Sequence, residues 1–319
     1  DGIRSDSCTT GHRFMAPEFF TVKDFDDYKL KLRNAFVILD NRERSEIILN
    51  DANNLAFANG LDLINDDALL EEVSGLVEWP VTLLGRVDNA FLDLPSEVLR
   101  ASMKEHQKFF SLKNPKTEKI ERFITVANIE SADNGTTILE GNQKVLYARL
   151  SDAKFFWEND LRLIQKDGLD TWLEKLKNVT FHNKLGSQAD KVLRISALTK
   201  KLVGPLACDG EAAVNGANIC KSDLTSEMVY EFPELQGVMG RYYAISCGYS
   251  DSVAKVCEEH YKPKGPNDPV PTVLTSVAVA LADKLDTLLG FWIINEKPTS
   301  SKDPFALRRA ALGVIRIIL

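Results

Sequence analysis

The chain has 319 residues, 44% hydrophobic, 27% charged and 8% aromatic. That is enough to bury two cores, and it excludes collagen-like, low-complexity and disordered classes. The formal net charge of −7 argues against an overall basic nucleic-acid binder, so any RNA contact must come from local cationic patches.

No apolar run reaches the length of a membrane span. The opening Asp1-Gly2-Ile3-Arg4-Ser5-Asp6 has neither the basic start nor the apolar centre of a signal peptide. The five cysteines (Cys8, Cys208, Cys220, Cys247 and Cys257) form no Cys-x-x-Cys pair. They read as reduced thiols of a cytoplasmic protein, without the paired spacing of a zinc site.

In chain order, Phe36-Val37-Ile38-Leu39 reads as a short buried strand. A helix follows from Arg42 to about Asn59 and stops at Gly60. Val81-Thr82-Leu83-Leu84 and Phe123-Ile124-Thr125-Val126-Ala127 are the next strands, and Pro95-Ser96 opens a helix between them. Asn114-Pro115 and Asn134-Gly135 mark turns.

The pattern changes near Gly141. Leu150, Ala153, Trp157, Leu161 and Ile164 share one helical face, as do Ala189, Val192, Ile195, Leu198 and Leu202, and Val273, Val277, Leu281, Leu285 and Leu288. The second half therefore reads as a helical bundle with few or no strands. Gly204-Pro205, Pro263 to Pro271 and Lys297 to Ser301 are its connecting loops. The expected domains are 1–141, mixed α and β, and 142–319, all α. In the last helix Asp303 has the carboxylate of an N-cap and Pro304 suits the first turn. Leu307, Ala311, Val314 and Ile318 make its apolar face and leave Arg308, Arg309 and Arg316 pointing outward. The missing initiator methionine and the apolar end point to an internal piece of a longer chain.

The rhythm of the second half is similar to the HD superfamily of helical phosphohydrolases. There a His, a His-Asp pair and a later Asp hold a divalent metal that lowers the pKa of a water for attack on phosphorus. Ala282-Asp283-Lys284-Leu285-Asp286 resembles the last of these motifs, with Asp283 in the ligand position. Cys220-Lys221-Ser222-Asp223 lacks a histidine before Asp223, and Gln188-Ala189-Asp190-Lys191-Val192, at the first position, has none either. Carboxylates alone do not rebuild such a site. His260 is either a remnant ligand or a hydrogen-bonded structural histidine. The expectation is a helical domain without metal at Asp223, His260 and Asp283. Asp283 and Asp286 are expected to cap or to pair with lysines such as Lys284. No P-loop, Gly-x-Gly-x-x-Gly or Gly-x-Ser-x-Gly string occurs.

A more specific resemblance rests on blocks running in order along the chain. They are Thr10-Gly11-His12-Arg13-Phe14, Leu76-Val77-Glu78-Trp79-Pro80-Val81 and Met103-Lys104-Glu105-His106-Gln107-Lys108-Phe109-Phe110. Next come Phe123 to Ser131, Leu150-Ser151-Asp152-Ala153-Lys154-Phe155-Phe156 and Glu231 to Gly240. Ala280 to Leu289 and Lys302-Asp303-Pro304-Phe305-Ala306-Leu307-Arg308-Arg309-Ala310-Ala311-Leu312-Gly313 close the series. Together they resemble the β subunit of bacterial-type, heterotetrameric glycyl-tRNA synthetase.

The resemblance implies an α+β first half similar to the editing domain of the phenylalanyl-tRNA synthetase β chain, then an all-α HD-like domain. It implies a non-catalytic β subunit partnered with an α subunit that ligates glycine to tRNA(Gly) using ATP and Mg, and with a second β copy. No cofactor is expected in this region, and a fold likeness by itself implies no proofreading.

RNA binding needs cations for phosphates and aromatics or arginines for bases. Lys104, Lys108 and Phe109, with Phe110, combine both types, unless the phenylalanines are core. Arg241 beside Tyr242 and Tyr243 is a second cluster, and Lys302 with Arg308, Arg309 and Arg316 a third. His12 and Arg13 serve a pocket or subunit contact, or else form a buried structural pair. Two other functions fit less of the chain: a metal-dependent phosphohydrolase, and a purely architectural subunit-joining module.

Overall fold

The computed structural model describes residues 6–319. The leading Asp1–Ser5, most of the stretch read for a leader pattern, lies outside the described residues. Contacts divide the chain into two compact units, one through Lys154 and one from Phe155.

The first unit opens with a hairpin, β1 (Cys8–Thr10) and β2 (Phe19–Thr21), and helix α1 (Phe25–Asn34). Helix α2 (Asn41–Ala58), strand β3 (Asp62–Leu63), helix α3 (Asp67–Leu76) and strand β4 (Val81–Arg86) follow. Helix α4 (Ser96–Gln107) leads into strands β5 (Phe110–Lys113) and β6 (Ile120–Ala127). The four-stranded antiparallel sheet has the order β3-β5-β6-β4. Leu84 pairs with Ile124 on one face, where Ile48, Ala52 and Ala56 of α2 and Leu69 and Val73 of α3 close a core over Leu112 and Ile124. Gly85 pairs with Phe123 on the other face.

The strands expected at Val81–Leu84 and Phe123–Ala127 thus form and pair with each other. The strand expected at Phe36–Leu39 does not. Phe36 has φ 60°, a left-handed conformation that breaks an extended run. Ile38 is buried and gives its N–H to the Glu78 carbonyl at 2.9 Å, and the stretch runs on as an extended link without entering a sheet.

Helix α5 (Thr136–Asp167) contains Gly141, where the change of pattern was expected, and the contacts divide within it at Lys154. The second unit continues with α6 (Asp170–Lys175), a small hairpin of β7 (Thr180–His182) and β8 (Gly186–Ser187), and α7 (Gln188–Leu206). Then come α8 (Gly210–Ile219), α9 (Glu227–Glu231), α10 (Val238–Ser246), α11 (Asp251–Glu259), α12 (Leu274–Ile293) and α13 (Leu307–Ile318).

Helices α7, α8, α11 and α12 meet around Ile195, Ala217, Cys220, Val256, Val279 and Ala282. Small residues at this crossing let the backbones approach: a Cβ on Gly216 would fall 2.7 Å from a Val256 methyl. Gly204-Pro205, expected as a loop, lies in the last turn of α7, which ends in a left-handed Ala207. No helix among the described residues is long and apolar enough to cross a membrane.

Helix α13 starts three residues later than expected. Pro304 and Phe305 precede it, Ala306 is its left-handed N-cap, and Asp303 accepts from the N–H groups of Leu307 (2.8 Å) and Arg308 (2.9 Å). The carboxylate therefore caps the helix from outside its first turn. Leu307 and Gly313 are buried while Ile318 is exposed, so the inward face is rotated from the expected one.

Candidate functional site

The strongest concentration of buried charge lies in the second unit. Helix α7 carries Lys191 and Arg194, the turn after α8 carries Lys221 and Asp223, and α12 carries Asp283, Lys284 and Asp286. A capping box starts α7: Ser187 Oγ accepts from the Asp190 N–H at 3.2 Å, and Asp190 Oδ2 accepts from the Ser187 N–H at 2.8 Å. With the helix start fixed, Lys191 reaches α12.

Lys191 Nζ is 2.9 Å from Asp283 Oδ1, 3.5 Å from Asp286 Oδ2, and donates to Thr287 Oγ1 at 2.7 Å. Lys221 Nζ donates to Asp283 Oδ2 at 3.3 Å and lies 3.9 Å from the Tyr261 ring centroid. Burial alone would raise the Asp283 carboxyl, but the two ammonium groups hold it well below the usual carboxylate range. Arg194 grips Asp286 with Nε and Nη2 at 2.6 and 3.2 Å.

Asp283 and Asp286 were expected to cap or to pair with lysines such as Lys284; they pair with lysines, but with Lys191 and Lys221 and not with Lys284. The Lys284 Nζ instead donates to the carbonyls of His260 (3.3 Å), Tyr261 (3.4 Å) and Lys262 (2.9 Å), capping the end of α11. Burial pushes its ammonium down to about 8.

Of the three positions compared with the metal-binding motif, Asp223 is fully buried. Its Oδ2 accepts from the N–H groups of Gly237 and Gly240 at the start of α10, while Oδ1 has no partner among the described residues. Gly237 is required there twice over: φ is +85°, and a Cβ would fall 2.7 Å from the Cys257 carbonyl. Burial pushes the Asp223 carboxyl up to about 6. His260 is also fully buried, with Nδ1 2.9 Å from the Val256 carbonyl. Burial, then Lys221, keeps its imidazole neutral, with the pKa well below the ordinary histidine value.

These residues do not fit a divalent metal. No group of three or more His, Cys, Asp or Glu among the described residues is arranged to hold one. Both oxygens of Asp283 face ammonium groups that would repel a cation. Both lysines are visible in the sequence, in Asp190-Lys191 and Cys220-Lys221. A search for metal-ligating histidines finds what is missing there and not what replaces it.

The surface candidates divide into committed and uncommitted cations. Lys104 pairs with Asp66 at 2.7 Å, which Arg100 shares at 3.1 Å, and Lys108 pairs with Glu72 at 2.9 Å. Phe109 is 2% exposed and stacks on Phe123 at 4.5 Å between centroids, so it is core and offers no face to a base.

Arg241 reaches Glu258 at 3.3 Å and Asp251 at 3.7 Å. Its neighbour Tyr243 is buried and donates its hydroxyl to Asp160 at 2.7 Å. Arg316, expected to point outward, donates to the carbonyls of Gly265 and Asp268, each at 2.7 Å. Arg308 donates to the Thr299 carbonyl. Lys302 and Arg309 are exposed and make no ion pair among the described residues.

His12 is buried at 1% exposure. Its Nδ1 accepts from the N–H groups of Phe14 and Met15, its backbone N–H donates to the Ala35 carbonyl, and Nε2 has no partner among the described residues. Arg13 is exposed, with its guanidinium 5.5 Å from the Phe14 ring centroid. The two do not form a buried pair.

Comparison with known proteins adds a family. A profile described as "Glycyl-tRNA synthetase beta subunit" matches residues 1–319. The chain is 63% identical over 320 residues to the glycine--tRNA ligase beta subunit of Ruegeria sp., covering 100% of this chain and 47% of that protein. It is 61% identical to the protein of that name from Dinoroseobacter shibae, covering 100% of this chain and 44% of the other. For Paracoccus denitrificans the identity is 60%, over 100% of this chain and 46% of the relative. The chain spans about half the length of the curated relatives it matches.

Proposed function

The chain belongs to the glycyl-tRNA synthetase beta subunit family, and on that premise we propose that it is a non-catalytic region of that subunit. In this reading it contributes tRNA-binding surface and helps assemble a cytoplasmic complex of two α and two β chains. The α subunit ligates glycine to tRNA(Gly) with ATP and Mg, and this region holds no cofactor. The observation that carries the reading is the family match over the whole chain.

Residues 1–141 are read as editing-domain-like and residues 142–319 as HD-like. The alternative of a metal-dependent phosphohydrolase lacks its chemistry, because Lys191 and Lys221 neutralise Asp283 where a metal would have to sit. Most of the cations singled out for RNA are bound to the protein itself, which narrows the tRNA surface to Lys302 and Arg309 in the third cluster.

The test replaces both with Gln in the full-length β subunit and measures tRNA(Gly) affinity of the α–β complex across salt concentrations. For every phosphate that the variant no longer neutralises, the slope of log K against log salt should flatten by about 0.7–0.9. Unchanged affinity and slope would make this surface irrelevant to tRNA and favour the architectural alternative.

A further inference from the structure

A cavity of about 340 Å³ opens in the second unit between α12, the start of α13 and the segment after α11. That is the low end of the range for small-ligand sites. Among the charged residues lining it, Lys264, Lys284 and Arg309 are cationic and Asp283 is acidic. Asp283 does not balance them, because it is already matched by Lys191 and Lys221, which are both buried. Asp223, also buried, does not line the cavity and accepts from the N–H groups of Gly237 and Gly240.

The cavity therefore has an excess of positive charge against a low-dielectric wall. Lys284 is buried and Lys264 and Arg309 are exposed, so an anion entering the cavity meets three cations and a carboxylate that is already matched. These cations differ in what they can still do. All three hydrogens of the Lys284 ammonium have carbonyl acceptors, so it supplies charge alone. Lys264 and Arg309 are exposed and make no ion pair or side-chain hydrogen bond among the described residues; Lys264 only lies 5.5 Å from the Tyr261 ring centroid. The nearby Asp303 carboxylate accepts from the N–H groups of Leu307 and Arg308 and attracts Arg309 through space, but it does not line the cavity. Tyr261, in the wall, has a hydroxyl with no partner among the described residues.

From this arrangement we infer that the cavity is a binding site for a phosphate group, gripped by Arg309 and Lys264 beside the buried Lys284. The sign of its charge is opposite to what a metal centre needs. A phosphate accepts from several donors at once and matches a guanidinium in bidentate fashion, which Arg309 is free to offer. The phosphate comes either from a small nucleotide or from an RNA end; both present the same chemistry.

The test titrates the chain with inorganic phosphate, AMP, and a short RNA bearing a 5′-phosphate. Adenosine, the same RNA with a 5′-hydroxyl, and sodium chloride at equal ionic strength are the controls, and melting temperature and calorimetry are the readouts. Saturable binding of a phosphate-bearing probe is expected, with at least a tenfold loss of affinity in Lys264→Gln and in Arg309→Gln. Both residues are exposed, so the variants should melt like wild type without ligand. Whether AMP or the RNA binds more tightly assigns the source.

The inference is overturned if no phosphate-bearing probe stabilises the protein beyond its control, or if neither substitution changes the affinity. Lys264 lies outside the tRNA surface proposed above. Lys264→Gln therefore reports on the cavity alone, and Lys302→Gln on the tRNA reading alone.

Discussion

Lys191 holds its ammonium 2.9 Å from a carboxylate oxygen of Asp283, and both side chains are buried. With Lys221 on the other oxygen, one carboxylate sits between two cations brought by separate segments of the chain. Breaking such a pair leaves an uncompensated charge in the interior, a larger loss than the pair's own net stabilisation. Lys191→Met leaves Lys221 on Asp283 and Arg194 on Asp286, and is expected to destabilise the protein by about 1–3 kcal/mol. Asp283→Asn, which strands Lys191 and Lys221 together, should cost at least as much. Denaturant unfolding of both variants checks this; losses below about 1 kcal/mol would mean that the cluster is open to solvent.

Asp223 gives a prediction in pH. Burial pushes its carboxyl up to about 6 from an ordinary 3.8. Between those values the folded protein keeps a proton that the unfolded chain has released, so this group makes stability fall as pH rises through the window. Asparagine offers the same acceptor to the N–H groups of Gly237 and Gly240 and carries no charge to bury. Asp223→Asn is therefore expected to exceed wild type by about 1–3 kcal/mol at neutral pH. The gap should narrow as pH falls through that window and close by about pH 3, where wild type holds the proton in both states. Denaturation midpoints measured across that range decide it, and a gap indifferent to acid sinks the argument.

Gly85 and Phe123 face each other across β4 and β6. The Phe123 ring covers the glycine so closely that a Cβ would fall 2.1 Å from its Cζ. The ring cannot easily step aside, because it is fully buried and stacks on Phe109 at 4.5 Å. Gly85→Ala is expected to lose about 2–3 kcal/mol through overpacking. A melting temperature equal to wild type would show that the Phe109–Phe123 stack is looser than its geometry implies.

Those aromatics also mark what the sequence made legible. The strands at Val81–Leu84 and Phe123–Ala127 could be read because β-branched and aromatic residues cluster there, and they do pair. The long helices could be read from their apolar spacing. Phe36–Leu39 looked like a strand by composition, but the left-handed turn at Phe36 is set by how α1 ends and leaves no trace in hydrophobic pattern. The candidate site was legible only in outline. Asp283 was placed in a ligand-like position, yet its partners come from residues 92 and 62 positions earlier, Lys191 and Lys221 (283 − 191 and 283 − 221). Pairings at that separation are fixed by tertiary packing, so the local strings held the residues without their relationship. Which surface cations are left without a carboxylate partner was hidden for the same reason.

The arginines of α13 separate sharply on this point. Arg316 donates to the carbonyls of Gly265 and Asp268 and ties the loop after α11 to the helix. Arg309 makes no hydrogen bond or ion pair through its side chain among the described residues. Charge-assisted bonds to carbonyls contribute about 1.5–3 kcal/mol each, and losing the donor leaves those carbonyls to find water. Arg316→Gln should therefore destabilise by about 1–3 kcal/mol, whereas Arg309→Gln should lie within about 0.5 kcal/mol of wild type. Any effect of Arg309→Gln on tRNA or phosphate affinity is then a surface effect, while the same effect from Arg316→Gln can arise through a loosened loop. Unfolding curves recorded beside each binding isotherm distinguish the two. If Arg316→Gln unfolds like wild type yet Arg309→Gln does not, the roles assigned to the two arginines are reversed.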